Sequence, residues 1–132
     1  MNRWLGAYSE LLYAVMRLVI GLLFACHGAQ KLFGVLGEVS QPSNPLMVTA
    51  GIIEFVGGLL VALGLRARYL AFIASGQMAV AYFMVHAPLG FWPILNAGEM
   101  AVLYCFVFLF IASKGSGVWS IDEFIGKRAR AL

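Results

Sequence analysis

The chain has 132 residues, of which 62% are hydrophobic and 11% are charged, with a formal net charge of +3. Its mean hydropathy is +0.90, whereas an ordinary soluble domain is about 45–50% apolar and about 25% charged. A soluble core of this size leaves about a third of its surface exposed, and so little charge cannot cover it. These values exclude a soluble domain, a nucleic-acid-binding module and a disordered chain, and they predict one all-α integral membrane domain over 1–132.

Apolar stretches predict four transmembrane helices, since each crossing needs about 20 mostly apolar residues. The predicted spans lie at about 11–30, 46–65, 69–87 and 95–113. Gly, Pro, Ser and Asn make 31–45 a loop, and Pro45 is expected to start the second helix. A short turn at 66–68 joins the second and third helices, and prolines at 88 and 93 interrupt the chain before the fourth.

Basic residues predict the orientation of this four-helix transmembrane bundle. Seven lie on one side of it, namely Arg3, Arg66, Arg68, Lys114, Lys127, Arg128 and Arg130. Only Lys31 lies on the other side. The positive-inside rule therefore places both termini in the cytoplasm, with 31–45 and 88–94 external. For a bacterial protein this means a multi-pass protein of the cytoplasmic (inner) membrane.

The two cysteines carry no recognisable site. Cys26 and Cys105 lie in apolar stretches, form no CxxC or zinc-ligand spacing, and are predicted to be inert thiols at different depths. A lipoprotein cleavage box at 23–26 is also disfavoured, because Phe24 is too large for its place in that box. The sequence predicts no metal site and no haem site.

Polar side chains inside the spans are the candidates for function, because an ionisable group there costs about 2.5–3.5 kcal/mol. They are Arg17, His27, Glu54, Gln77, His86, Asn96 and Glu99. At about 1.5 Å per residue, most of them lie in the external half, and Glu54, Gln77 and Arg17 lie deepest at about 12, 15 and 20 Å. This column predicts a polar site open toward the external side.

Rotation about the helix axes refines this prediction. Glu54 shares a face with Gly51, Gly57 and Gly58, so a neighbouring backbone is expected to approach that face closely. Gln77 and His86 are nine residues apart, which in a uniform α-helix points them to opposite sides. We therefore expect His86, but not Gln77, to face the site.

Each candidate also has a structural interpretation. Arg17 and Glu54 could form a buried pair that fixes helix register, and Lys31 could extend its amine to the membrane interface. Gln77 is expected to hydrogen-bond between helices, and the two histidines could be interfacial residues with backbone partners. The aromatic residues near the span ends are expected to form an interfacial belt.

Taken together, two His, two Glu, one Arg and one Lys suit chemistry coupled to protonation, because His titrates near neutral pH and burial can raise a Glu pKa toward it. A quinone fits such a site, with its apolar tail toward lipid and two carbonyl oxygens that need donors. A lipid head group or a small polar solute would also fit. The predicted quinone-binding residues are Arg17, His27, Lys31, Glu54, His86 and Glu99. The sequence identifies no catalytic residue.

Short motifs along 11–123 resemble the DoxX family of small bacterial four-helix membrane proteins. They are Arg17, His27-Gly28-x-x-Lys31, Glu54-x-x-Gly57-Gly58, Gly64-Leu65-x-x-Arg68, His86, Asn96-x-Gly98-Glu99 and Gly115-x-Gly117-x-x-Ser120-Ile121-Asp122. The resemblance implies a link to thiosulfate:quinone oxidoreductase, to other membrane oxidoreductase complexes, or to resistance against oxidants, thiols or quinone-like compounds. Because the sequence has no CxxC, the chain is not expected to be active alone.

Several functions remain open at this point. The leading one is a subunit of a quinone-linked membrane redox system, working with other membrane subunits in the lipid bilayer. The alternative is a non-enzymatic accessory subunit that anchors a larger complex. A solute or proton pathway would need polarity in the cytoplasmic half, which offers little beyond Arg17. Haem ligation by His27 and His86 would give a visible Soret band.

Overall fold

A computed structural model describes residues 2–37 and 44–130, and all regular secondary structure in these ranges is helical. The helices are α1 (Asn2–Gly6), α2 (Ser9–Phe33), α3 (Pro45–Leu63), α4 (Ala67–Leu89), α5 (Glu99–Lys114) and α6 (Ile121–Arg130). The prediction of an all-α protein is thus confirmed for the described residues.

Three of these helices, α2, α3 and α4, are long and apolar enough to cross a membrane. The fourth predicted span is a helix only from Glu99, and its 16 residues cover about 24 Å of a hydrocarbon layer about 30 Å thick. It starts late because Ala97 has a left-handed φ of 58°, which α-helices of L-residues avoid. Large apolar side chains are exposed on the outer faces of the helices, as expected for contact with lipid. The four-span count and the orientation stay predictions.

The ends of α2 and α3 test the predicted loop at 31–45. The prediction is wrong at its start and confirmed at its end, Pro45. α2 continues to Phe33, so Lys31 lies in its last helical turn and not in a loop, and Gly34 ends the helix at a left-handed φ of 64°. Pro45 occupies the first turn of α3, where the side chain of Asn44 accepts a hydrogen bond from the Met47 amide at 2.9 Å. The rest of the predicted loop, 38–43, lies outside the described residues.

Glycines set the close packing of α2 against α3. A Cβ added to Gly28 would lie 2.2 Å from the backbone nitrogen of Phe55, and one added to Gly58 would lie 2.6 Å from the Gly21 carbonyl. The predicted close approach on the Glu54 face is therefore confirmed at Gly58. At Gly57 it is wrong, because the nearest atom is the Ile53 side chain at 4.0 Å.

α4 packs against α5 through small side chains. Ala67, Ala71 and Ala74 of α4 are fully buried, and the Ser75 hydroxyl donates to the Cys105 carbonyl at 2.8 Å. The ring of Phe24 packs on Phe108 with centroids 4.6 Å apart, which connects α2 to α5. These contacts hold α2, α4 and α5 together.

Two of the long helices contain a π-helical turn, at Ile53–Gly57 in α3 and at Tyr82–His86 in α4. A π turn holds one more residue than an α turn, so it rotates the following side chains by about 100° relative to a uniform α-helix. The turn in α3 includes Glu54, and the turn in α4 ends at His86. Both turns therefore lie at the candidate site.

α6 is held beside the turn between α3 and α4. Asp122 accepts a hydrogen bond from the Arg66 amide at 2.8 Å, and its own amide donates to the Gly64 carbonyl at 3.2 Å. On its exposed face, a hydrogen bond from Lys127 holds the pKa of the Glu123 carboxyl below its ordinary value. This pairing contributes to the stability of α6 near neutral pH. The contribution is lost as the pH falls through the lowered pKa of Glu123.

Candidate functional site

The buried carboxylate of Glu54 is the centre of the candidate site. The residue is 1% exposed, and its Oε1 atom accepts hydrogen bonds from the Lys31 ammonium and, at 2.7 Å, from Gln77 Nε2. Three helices thus contribute one polar side chain each. A carboxylate this deeply buried requires such partners, because burying an unpaired charge is costly.

Lys31 reaches this carboxylate from the last turn of α2. Its side chain is 25% exposed, and it forms an ion pair with Glu54. The interpretation of Lys31 as an interfacial lysine is therefore wrong, because its amine points inward to the carboxylate. Since Oε1 accepts from an ammonium and an amide together, the carboxylate is best described as ionised.

Two buried acceptor atoms in this cluster have no hydrogen-bond partner among the described residues, Glu54 Oε2 and Gln77 Oε1. The amide of Gln77 is oriented by its neighbours, because Nε2 faces two acceptors, Glu54 Oε1 and the Ala50 carbonyl at 3.5 Å. Its oxygen must then point elsewhere. An unpaired buried acceptor costs about 1–3 kcal/mol, so a ligand or water that donates to these atoms would stabilise the site.

Two cavities share this cluster. One encloses about 160 Å³ between α2, α4 and α5, and its wall includes His27, Met78 and Tyr104. The other encloses about 420 Å³ between α3 and α4 and is mostly apolar. Lys31, Glu54, Ala81 and His86 line both cavities. The site therefore has a polar centre at Glu54. Its apolar extension is the larger cavity, which lies between the candidate membrane helices α3 and α4.

His86 is fixed at the boundary of both cavities by the turn that follows α4. Its Nδ1 lies 3.0 Å from the Asn96 carbonyl, and because a carbonyl only accepts, Nδ1 must carry the proton. The buried Asn96 side chain in turn donates to the Gly90 carbonyl at 2.6 Å and accepts from the Gly98 amide at 2.8 Å. This network holds the ring in one tautomer, in which Nε2 of the neutral ring is an acceptor.

His86 and Gln77 line the same larger cavity, which shows that the expectation of opposite faces was wrong. That expectation assumed a uniform α-helix between the two residues. The π turn at Tyr82–His86 holds one more residue per turn than an α turn. His86 is therefore rotated toward the side of α4 that carries Gln77. Gln77, expected only as an interhelical hydrogen bonder, is thus also part of the site.

His27 contributes to the smaller cavity from its outer side. It is exposed on α2 and packs edge-on against Tyr104, with ring centroids 6.0 Å apart. Tyr104 was not among the predicted site residues. No sequence pattern marks it as a site residue, because a single tyrosine within an apolar span is common in ordinary helix packing.

Arg17 is separated from the Glu54 site. Its guanidinium donates to the Val61 and Ala62 carbonyls, at 2.8 and 2.6 Å, and to the Trp119 carbonyl at 2.9 Å. The possible Arg17–Glu54 pair is therefore wrong. Arg17 instead satisfies carbonyls at the C-terminal end of α3, where a positive charge also interacts favourably with the helix dipole.

Replacing Arg17 with methionine should lower the free energy of unfolding by about 1–3 kcal/mol, because buried carbonyls lose their donor. The change should leave the Glu54 cluster intact. Thermal unfolding of the variant in detergent measures the first effect, and ligand binding measures the second. Wild-type stability would show that Arg17 does not support the end of α3.

Glu99 is likewise outside the site. It lies exposed in the first turn of α5 and does not line either cavity. Of the six residues predicted to bind a quinone, the structure brings together His27, Lys31, Glu54 and His86, and it leaves out Arg17 and Glu99.

The fold and the site together define a helical membrane protein with a buried carboxylate. The larger cavity at this carboxylate lies between two of the helices. The DoxX family model matches residues 12–87. An uncharacterized protein of Haemophilus influenzae is 38% identical over 126 residues, which cover 90% of this chain and 94% of that protein. The chain belongs to the DoxX family, which confirms the resemblance found in the sequence.

Two other relatives are more distant. An uncharacterized membrane protein of Mycobacterium tuberculosis is 28% identical over 134 residues, covering 88% of this chain and 82% of that protein. A Bacillus subtilis protein named "Putative oxidoreductase CatD" is 27% identical over 119 residues, covering 86% of each chain. No solved structure matches this chain.

Proposed function

We propose that this protein is a subunit of a quinone-linked membrane redox system and binds a quinone at the Glu54 site. The observation that carries the proposal is the buried Glu54 carboxylate, with one unpaired oxygen, at the junction of two mostly apolar cavities. Small-molecule sites are typically apolar cavities with a few precisely placed polar groups.

The residues present fit a quinone. Lys31 and His27 can donate to the ring oxygens of the quinone, while Glu54 Oε2 and Gln77 Oε1 can accept from the hydroxyl groups of its reduced form. The apolar cavity, which includes Leu46, Val80 and Met84, can hold a hydrocarbon tail. A bound quinone would supply exchange of two electrons and two protons, and Glu54 can hold a proton at Oε2 near the ring.

The topology proposed for this function has four spans, with α5 as the fourth and both termini cytoplasmic in the inner membrane. It is supported by the clustering of charge at one end of the molecule. Arg66, Arg68 and Lys114 line a single cleft there, beside Asp122 of α6. Lys31 lies toward the opposite end of the molecule, in the last turn of α2. Such an asymmetry of basic residues is typical of the cytoplasmic side.

The electron partner in this proposal is another membrane subunit of the oxidoreductase class. The relative named "Putative oxidoreductase CatD" supports that assignment by its name only. Partners of this kind would approach the exposed apolar helix faces in the plane of the bilayer.

Binding should be measured on the purified protein with a benzoquinone that carries one isoprenyl unit and with its quinol. We expect Glu54→Gln to weaken binding of the quinol at least about ten-fold, because the carboxylate that accepts from its hydroxyl group is lost. Glu99→Gln is the matched control, since it makes the same change outside both cavities, and it should bind like the wild type. A protein that purifies without a bound quinone or quinol and binds neither form when it is added would contradict the proposal and favour the accessory-subunit alternative.

A further inference from the structure

The hydrogen-bonding balance of the Glu54 site indicates which redox form of the ligand it holds. Among the described residues, the two buried atoms of this site that lack a partner, Glu54 Oε2 and Gln77 Oε1, are both acceptors. His86 adds a third acceptor when its ring is neutral, because its Nδ1 proton is committed to the Asn96 carbonyl. These three acceptors therefore require donors from whatever occupies the cavities.

The two forms of a quinone differ in this respect. A quinone ring offers two carbonyl oxygens, which only accept, whereas the quinol offers two hydroxyl groups, which donate and accept. A quinone placed beside Glu54 Oε2 would leave that atom unpaired and would bring oxygen against a negative charge. A quinol hydroxyl satisfies it with a charge-assisted hydrogen bond.

We infer that the Glu54 site is selective for the reduced, dihydroxy form of its ligand, with Glu54 Oε2 and Gln77 Oε1 accepting from the hydroxyl groups. This inference rests on the proposed function, since it specifies the ligand form at the same site. The Lys31 ammonium, which has donors beyond the one it gives Glu54, is placed to donate back to a hydroxyl oxygen. A lone acceptor would give little selectivity, but two acceptors from different helices match a ligand with two hydroxyl groups.

Selectivity is tested by titrating the detergent-solubilised protein under argon with three matched probes. These are the benzoquinone with one isoprenyl unit, its quinol, and the dimethyl ether of that quinol. We expect the quinol to bind about ten-fold to a hundred-fold more tightly than the quinone, because the deciding hydrogen bond is to a charged group. The ether keeps the ring and tail but cannot donate, so it should bind no better than the quinone.

The variant Gln77→Met tests one acceptor without removing the Glu54 charge. It should reduce the preference for quinol several-fold and leave quinone affinity within about two-fold, whereas Gln30→Met, the same change outside both cavities, should alter neither. Equal or tighter binding of the quinone would overturn the inference and leave the proposed quinone site standing. Failure of all three probes to bind would overturn the proposed function itself.

Discussion

Gly28→Leu should prevent α2 from packing on α3 and should abolish recovery of folded protein. A Cβ at this position would lie 2.2 Å from the Phe55 nitrogen and 2.7 Å from the Gly51 carbonyl. Both are backbone atoms, so no side-chain rotation can relieve the clash. Overpacking of a core side chain costs about 1–3 kcal/mol, and we expect more here because two helices must separate. Size-exclusion profiles and thermal unfolding of the detergent-solubilised protein measure the effect.

Gly76→Leu is the control for this prediction. Gly76 lies exposed on α4, and a Cβ there would meet no atom within 4 Å. The same substitution at this position should leave expression and unfolding temperature close to those of the wild type. A Gly28→Leu protein as stable as the Gly76→Leu protein would show that the close approach of α2 and α3 is not required for folding.

Glu54→Leu should produce two separable losses, one of stability and one of ligand binding. The free energy of unfolding should fall by about 1–3 kcal/mol, because Lys31 and Gln77 lose their shared acceptor. The double variant Glu54→Leu/Lys31→Met should recover most of that stability, since replacing both members of a buried ion pair by apolar groups is often neutral. Binding of the quinol should not recover, because the acceptor for its hydroxyl group is still missing.

Unfolding in detergent and titration with the benzoquinone and its quinol distinguish these effects. Recovery of both stability and binding in the double variant would mean that the Lys31–Glu54 pair is only structural. Equal instability of the single and double variants would mean that the stability contributed by Glu54 does not come from its pairing with Lys31.

Much of the fold was predictable from the chain because strong local signals determine it. Apolar length defined the helices that became α2, α3 and α4, and Pro45 marked the start of α3 as expected. The inward position of Glu54 followed from the glycines on its helix face. These features depend on single helices or on the closest packing of two.

The pairing inside the site was less predictable because it depends on the register between helices. Contact of Gly21 with Gly58 sets the antiparallel register of α2 and α3, and it places Arg17 beside Ala62, far from Glu54. Depth estimates of a few ångströms could not distinguish these alternatives. Arg17 and Lys31 lie 14 residues apart on α2, about 21 Å along its axis, and the register of α2 against α3 decides which of the two cations meets Glu54.

The position of His86 depended on a feature that residue counting does not contain. The π turn at Tyr82–His86 changes the number of residues per turn in the middle of an apolar helix. No residue type in that segment marks such a turn. Gln77 was placed outside the site for the same reason.

The unequal lengths of α2 and α5 have a consequence for the surrounding bilayer. α2 has 25 residues and α5 has 16, which at 1.5 Å per residue correspond to about 37 Å and about 24 Å. In the four-span topology proposed above, lipid beside α5 must thin or α2 must tilt, and each ångström of mismatch costs a fraction of a kcal/mol. The α5 side of the protein would therefore favour short-chain lipids or a neighbouring helix of similar length.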